Sequence, residues 1–598
     1  MHVLGLSALN HDSTAALLAD GAIVAAIEEG KLARTRTAEG IPRAAIQFCL
    51  QQGAVDWKSL DRIAIASRPA LAWRRQIGFR ARLAPLAPLS SGYFVNKAFG
   101  EFGRELNNMR ILTALAGNSP APADVGDTTS ARIEAFDHHL CHAASAFYAS
   151  PFEQALIVTL DEQGDGRAGF VALGEGAQIR ELDSISLPNS LAWVYTRVTQ
   201  LLGFRPHNDE HKTQWLSLTG EPVFANVFLE MLRPRPSAPP QLSTRFFSRG
   251  FSVDRAFAPE FFRSLGITLN GASPASDAAA SGQRASTPAP AIPDSLRANI
   301  AASLQQACAT LLCEWLDSLR RSTKMDALCL AGGLFLNSLL VSAIESASGF
   351  EKVFVQPAAG SEGTSLGAAW LCWHHSLKKP RVEPMAPPCW GPGFSNQDIK
   401  SVLDNCKVSY AWCESDAHKI DEALRLLEAG KIVAWYQGNA EFGPRALGNR
   451  SLLASPWAPY VKENLNDYVK HRESFRPFAL SICAEDASEF FDCSPNGRFM
   501  TTMAVANEKG RKLLGDLPSG FLLPGNLVRL HTVSASDSPL FWRLLKRSGE
   551  KGPAPMLVNT SFNLFAEPLV VRPRDAVRSY FCSGADALIA GSFLLVKN

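Results

Sequence analysis

An α/β fold in at least two large domains is what the sequence predicts, and three observations carry that expectation. The chain has 598 residues, too many for one ordinary hydrophobic core. Twice, over 327–344 and 352–374, an apolar strand pattern runs into a glycine turn and then into a helical pattern. That alternation belongs to sheets covered by helices. At the N-terminus two strand patterns flank a polar turn, a hairpin with polar side chains at its mouth.

Taken in order, MHVLGLSA is the first strand. NHDSTAALLADG is the polar turn, and GAIVAAIEEGKLAR is a second strand that runs into another turn. IPRAAIQFCLQQG carries apolar residues at helical spacing. DHHLCHAASAFY (137–148) reads as a polar helix start above an apolar face, and ALIVTLDEQGDG follows as a strand ending in acids and glycines. The stretches 234–241 and 273–295 are rich in Pro, Ala and Ser, bury little, and read as surface loops or disorder. Residues 295–321 form a long amphipathic helix. KKPRVEPMAPPCWGPG (378–393) is the linker candidate, which divides the chain into 1–380 and 390–598.

Composition removes several function classes. Hydrophobic content is 46%, charged content 19%, and the net charge only +2, so no basic block is present to grip a phosphate backbone and nucleic acid is not expected as a partner. No stretch approaches the roughly 18 apolar residues of a membrane span. His11 and Asp12 interrupt the first apolar run, which argues against a signal peptide. Twelve cysteines lie scattered without a CxxC pair, so reduced thiols in a cytoplasmic protein are expected.

LAGGLFLN (330–337) and PAAGSEGTSLGAA (357–369) each place glycines between a strand and a helix. Glycine lets the backbone approach a ligand, and helix N-terminal amides favour phosphate. Either turn alone is also a generic connection. With the NHDSTA hairpin they match the order of phosphate and linker segments in actin-like ATPase folds, which marks Asp12, Gly332, Gly333, Asn337 and Gly360 as candidate nucleotide-side residues.

If DHHLCHAASAFY is helical, His138 and His142 are i and i+4 and share one face. Asp161, at the end of the next strand, is placed to complete a metal site. His139 points elsewhere, and Asp165 shapes the acidic turn. Imidazole with carboxylate suits Fe(II), Mn(II) or Zn(II); a solvated pair of histidines is the other reading of the segment.

In the C-terminal half, EFGPRALGNRSLLASP, KHRESFRPFAL and VNTSFNLFAEPLV hold Arg445, Arg450, Lys470, Arg472 and Arg476 in otherwise weakly charged sequence. Arginine forks bind phosphate oxygens in pairs and lysine adds a point charge. Asn559, Thr560, Ser561 and Asn563 add neutral hydrogen-bonding groups.

These segments, with GLSALNHDSTAALL and DHHLCHAASAFY, resemble in order the motifs of the carbamoyltransferase family that includes the tobramycin, cephamycin and nodulation-factor enzymes. The resemblance runs over essentially the whole chain. It implies an actin-like (ASKHA-type) N-terminal domain followed by a YrdC-like α/β domain. The latter would form carbamoyl adenylate from carbamoyl phosphate and ATP. The former would transfer the carbamoyl group, beside an iron, to a hydroxyl or amine of a specialised metabolite. Carried over residue by residue, Arg445, Lys470 and Arg476 would bind carbamoyl phosphate or ATP. Arg450, Arg472, Asn559 and Ser561 would belong to the same pocket. His138, His142 and Asp161 would hold the metal, with Fe(II) ahead of Mn or Zn and Mg as a further ion, and His11 would stand near the transferred group.

Two departures bear on the transfer half. The family usually has aspartate after PAAG as a further metal ligand; here Ser361 stands there, followed by Glu362. The stretch 207–222 only loosely matches one that usually reads Gly-Glu-Lys then Met-Gly-Leu-Ala, although Lys212 survives. The rival reading is a nucleotide-binding accessory protein of a biosynthetic route, non-catalytic or partly catalytic. Transfer of threonylcarbamoyl to tRNA, a chemistry of related folds, fits poorly with the low net charge. Expected partners are a small-molecule acceptor, ATP and carbamoyl phosphate, with no membrane and room for a homodimer.

Overall fold

The structure, a computed structural model, describes residues 1–8, 12–36, 38–75, 132–235, 238–248, 256–268, 292–382, 387–515, 517 and 520–597. Its N-terminal half is built twice on one plan. Strands β1 (His2–Ser7), β2 (Thr14–Ala19) and β3 (Ala22–Glu28) form an antiparallel meander; β4 (Arg62–Ile65) and β5 (Arg132–Ala135) continue parallel to β1. The sheet order is β3-β2-β1-β4-β5. Strands β6 (Gln154–Gly164), β7 (Arg167–Glu175), β8 (Gln178–Ser186), β9 (Ala327–Ala331) and β10 (Lys352–Val355) repeat it as β8-β7-β6-β9-β10, with the same strand senses. This duplication of a five-stranded sheet is the actin-like architecture expected from the three phosphate-side segments.

The segment read as a turn contains a whole strand, β2. TAALLA offers no alternation and little β-branching, so its strand character was hidden. What sets it is the Asp20–Gly21 pair: both have positive φ, 49° and 87°, the requirement of a two-residue hairpin between right-twisted strands.

The helices that matter for the site are α1 (Arg43–Gln52), α2 (His138–Phe147), α3 (Leu191–Leu201), α4 (Glu210–Leu216), α5 (Asp294–Thr323), α6 (Ser338–Ala347) and α7 (Thr364–Leu371). The long helix expected at 295–321 is α5. Residues 273–291 and His11 lie outside the described residues. Helices α2 and α7 lie in the layer between the two sheets, in one core with Val3, Ala16, Ile157 and Cys329. They approach closely because Gly367 has no Cβ to strike the Cys141 carbonyl; Gly5 likewise admits Ser365.

The C-terminal half is an eight-stranded mixed sheet. Its strands are β11 (Ala411–Trp412), β12 (Val433–Tyr436), β13 (Arg450–Ala454), β14 (Ala479–Cys483), β18 (Leu530–Val533), β19 (Met556–Ser561), β20 (Ala587–Ala590) and β21 (Phe593–Val596), in the order β11-β21-β20-β12-β13-β19-β14-β18. A small antiparallel sheet, β15 (Phe491–Asp492), β16 (Ala504–Ala506) and β17 (Leu527–Val528), sits beside it. Helices α8 (Asp416–Glu428) and α9 (Pro539–Lys551) cover one face through Leu424, Leu427, Leu544 and Leu545; α10 (Pro573–Phe581) packs on the other.

Named contacts tie the halves together. Lys31 Nζ donates to the Glu441 and Gly443 carbonyls, both at 2.7 Å. The Gly443 amide donates to Glu28 Oε1 at 2.7 Å. Arg34 reaches Glu567 at 2.8 Å and the Leu569 carbonyl at 2.6 Å, and Lys212 pairs with Glu473 at 2.7 Å. Together these hold all three C-terminal signatures against the N-terminal half. Among the described residues no helix is long and apolar enough to cross a membrane, and the twelve cysteines are unpaired.

Candidate functional site between the two halves

A cavity of about 520 Å³ opens between the halves. The side chain of Asp161 and the turns at Gly333 and Gly360–Glu362 line it from the N-terminal half. Arg445, Arg472, Arg476 and Arg529 line it from the C-terminal half. The size is that of a small-molecule site.

At the first end, Asp137 caps α2 by accepting from the His139 and Leu140 amides, as an N-cap carboxylate does. Asp165 takes the His138 amide at 2.8 Å, Ser67 Oγ at 2.8 Å and the Arg68 amide at 2.9 Å; it pins the helix start, as expected for a residue shaping the turn. His138 and His142 therefore share one face. Their Nε2 atoms are 3.0 Å apart, and Asp161 Oδ2 lies 3.1 Å from His142 and 3.4 Å from His138. Gly164 makes room, since a Cβ there would collide with the His138 ring. Burial alone would raise the Asp161 carboxyl, but its hydrogen bonds to both imidazoles hold it well below the usual range. His139 turns away to Thr159 Oγ1 at 2.9 Å and the Arg167 carbonyl at 3.2 Å. Burial, then the neighbouring imidazoles, push it down to about 3.

The three donor atoms fit a metal ion. Ligands at about 2.1 Å from an ion stand roughly 3.0–3.4 Å from one another in octahedral or tetrahedral geometry, the spacing found here. Both Nδ1 atoms are buried without a partner, so packing rather than an outer hydrogen bond orients these rings. Glu362 does not join the group of side chains close enough to share an ion. The neutral Ser361 and Glu362 line the cavity instead.

Glu362 is held by its backbone, whose carbonyl accepts from Thr14 Oγ1 at 2.9 Å and Ser365 Oγ at 3.1 Å. Burial, then the charges of Asp12 and Glu28, push its carboxyl up to about 8. Its folded-state pKa is raised, so the folded chain holds a proton that the unfolded chain has lost. Stability contributed by this site therefore declines as pH rises from the ordinary carboxyl range to about 8. Glu362→Gln is expected to melt like the wild type below about pH 4.5, and progressively higher than the wild type as pH approaches about 8. Parallel melting curves across that interval would refute the assignment.

At the glycine turns the structure shows crowding against the protein itself. Gly332 has φ 100°, and a Cβ there would strike the Leu160 backbone. A Cβ on Gly333 would stand 3.1 Å from Asp161 Oδ1, and one on Gly360 would meet the Glu362 carboxyl. Asn337 is spent on structure: it caps α6, accepting from the Leu339 and Leu340 amides at 3.1 Å each, and it bonds Gln305 and Tyr195. Asp12 lines the cavity with φ 60°.

At the second end the positive charge is concentrated. Arg445 donates to the Leu336 carbonyl at 3.0 Å, and burial brings it down to about 10. Arg472 donates to Asn466 Oδ1 at 2.8 Å and lies 4.0 Å over the Phe478 ring. Arg476 stands 3.7 Å from Glu473. Arg529 lies over the Trp215 ring at 5.6 Å; burial, then Arg445, Arg472 and Arg476, push it well below its ordinary value. Cations that depress one another across a cavity are an arrangement whose repulsion a bound anion would relieve.

Lys470 and Arg450 differ from expectation. Lys470 Nζ is bound to the Ser561 carbonyl at 2.6 Å and Asn563 Oδ1 at 2.5 Å, with the Ser561 hydroxyl and Asn563 carbonyl at 3.3 Å. It braces the Ser561–Asn563 loop, which lines the cavity in its place. Arg450 is a correction: it is fully buried, 3.9 Å over the Tyr436 ring, and its guanidinium donates to the carbonyls of Gln437, Asn449, Pro392 and Gly438. A guanidinium so occupied has no fork left for phosphate. Asn559 Nδ2 donates to Ser481 Oγ at 3.0 Å, while its buried Oδ1 has no partner.

Sequence reading missed Arg36, His211, Trp215 and Arg529, all on the cavity wall. Only Arg529 carried a signal, as a lone arginine inside the apolar run LVRLHTV.

Residues 2–370 match the family described as "Carbamoyltransferase N-terminus", and residues 424–597 match "Carbamoyltransferase C-terminus". The protein sll1178 of Synechocystis is 30% identical over 100% of this chain and 97% of its own length. The nodulation protein NolNO of Sinorhizobium fredii is 30% identical over 98% of this chain and 79% of its own. The 3'-hydroxymethylcephem-O-carbamoyltransferase of Amycolatopsis lactamdurans is 29% identical over 44% of this chain and 48% of its own.

Proposed function

The chain belongs to the carbamoyltransferase family and is a transferase; from that premise we propose that it consumes ATP and carbamoyl phosphate to make carbamoyl adenylate. Water cleaves carbamoyl phosphate to carbamate and phosphate, and a carbamate oxygen attacks the α-phosphorus of ATP as pyrophosphate leaves. The carbamoyl group then passes to a hydroxyl or amine of a specialised metabolite, with AMP as the leaving group. In this reading residues 390–598, as the YrdC-like domain, carry out adenylation, and residues 1–380 carry out transfer. The observation that carries it is the shared cavity, lined by Arg445, Arg472, Arg476 and Arg529 and by Asp161, the carboxylate that bonds His138 and His142.

Arg445, Arg472, Arg476 and Arg529 hold the phosphates and oppose the charge that builds as the α-phosphorus is attacked. Lys470 fixes the Ser561–Asn563 loop, so its donors and acceptors meet the ligand in one arrangement. The close turns at Gly333 and Gly360, both on the cavity wall, bring backbone to the adenylate on the transfer side. His138, His142 and Asp161 would hold Fe(II), or Mn(II) or Zn(II), and such an ion supplies polarisation of a carbonyl oxygen. His11 is retained as the candidate residue beside the transferred group.

The deciding measurement is pyrophosphate release from ATP. Release that depends on carbamoyl phosphate supports the enzyme; nucleotide binding without release supports the accessory protein. Ser361→Asp is expected to tighten metal binding by at least about tenfold, the size that even outer partners of a metal ligand carry. Titration of the metal-stripped protein measures this. Unchanged affinity would mean that position 361 does not face the ion.

A further inference from the structure

His211 lies on α4 with its ring in the cavity wall, and its Nε2 is buried without a hydrogen-bond partner. The charges that act on it most strongly are cations: Arg476 and Arg445 from the C-terminal half, Lys212 from its own helix, and Arg36 from the segment after β3. Glu210, beside it on α4 and on the same wall, accepts the His207 amide at 2.6 Å, and two further carboxylates are engaged. Asp209 and Glu473 pair with Lys212 at 3.3 and 2.7 Å, and Glu473 also faces Arg476 at 3.7 Å. A buried ring nitrogen left without a partner is costly unless a ligand supplies one.

We propose that His211 is a contact residue of the anion site, and that the site takes up a proton on this imidazole when a polyanion binds. The proposal rests on reading the arginine cluster as an anion site. In the free protein, burial and then the four cations keep the ring neutral. An anion changes both conditions at once: its oxygens accept a hydrogen bond from the ring, and its charge offsets the surrounding cations. Both favour the imidazolium. The proton comes from solvent, no covalent bond changes, and the bound state holds the proton more tightly than the free state. Affinity must therefore rise as pH falls.

The test uses the full chain and inorganic sulfate, a dianion whose own protonation does not change near neutrality. Calorimetry in two buffers of different ionisation heat counts protons taken up per sulfate bound, at about pH 6.5 and about pH 7.5. The wild type is expected to take up as much as about one proton per sulfate, and to bind up to about tenfold tighter at the lower pH. His211→Gln and His211→Asn, each checked by melting, are expected to bind sulfate with no uptake and with affinity independent of pH. Binding without uptake in the wild type overturns the inference. So does uptake that persists in both variants, which would move the proton to Lys470, a buried amine also depressed by its surroundings. Absence of sulfate binding to the wild type overturns the anion site itself, and the inference with it.

Discussion

In the Arg445→Ala variant, carbamoyl-phosphate-dependent pyrophosphate release is expected to fall to background while the chain stays folded. The guanidinium gives one hydrogen bond to the protein, to the Leu336 carbonyl, and its other donors face the cavity. Each charge-assisted contact to a phosphate contributes about 1.5–3 kcal/mol, so one contact is worth about ten- to a hundredfold and a bidentate pair more. Arg476 and Arg529 remain and are relieved of part of their mutual repulsion, so any loss reports the missing contact itself. Arg445→Lys should recover only part of the rate, since an ammonium cannot form the fork. Lys470→Ala is expected to act in the same direction through the loop it braces. Normal release in Arg445→Ala would remove adenylation from this half of the chain.

The sequence showed the fold class, and it also showed which side chains of the candidate site the structure would bring together. The i, i+4 pair His138 and His142 was legible because a helix repeats its face at that spacing, and Asp161 because it is the first carboxylate after the apolar run of β6, three residues before the strand ends at Gly164. The glycine turns were legible for the same reason: close approach demands glycine, as Gly332 demonstrates against Leu160. Strand β2 was not, since TAALLA carries no alternation and only the Asp20–Gly21 turn betrays it. Arg450 and Arg445 sit five residues apart in one signature, yet one spends its donors on four carbonyls and the other on one. Spacing cannot separate them; the chain's return through Pro392 and Gly438 does. His211, Arg36 and Trp215 were hidden for a related reason, as they become wall residues only once the two halves meet. That meeting is also why Asp161 and the arginines of the C-terminal half line one cavity.

His138→Ala should divide the two proposed steps. Pyrophosphate release is expected to continue near the wild-type rate, because the arginine cluster is untouched, while modification of the acceptor should be lost. The variant removes one of three donors that stand 3.0–3.4 Å apart, and the remaining imidazole and carboxylate cannot close a coordination sphere. Metal content should fall with it, measured on protein purified without a histidine tag. A conservative control is available in Gly164→Ala, whose added methyl meets the His138 ring and should lower metal content with every donor still present. Loss of pyrophosphate release in His138→Ala would show that the two ends of the cavity do not work as separate centres. An enzyme that keeps full transfer activity, metal-free, in strong chelator would leave His138, His142 and Asp161 as a buried polar cluster whose hydrogen bonds serve the fold alone.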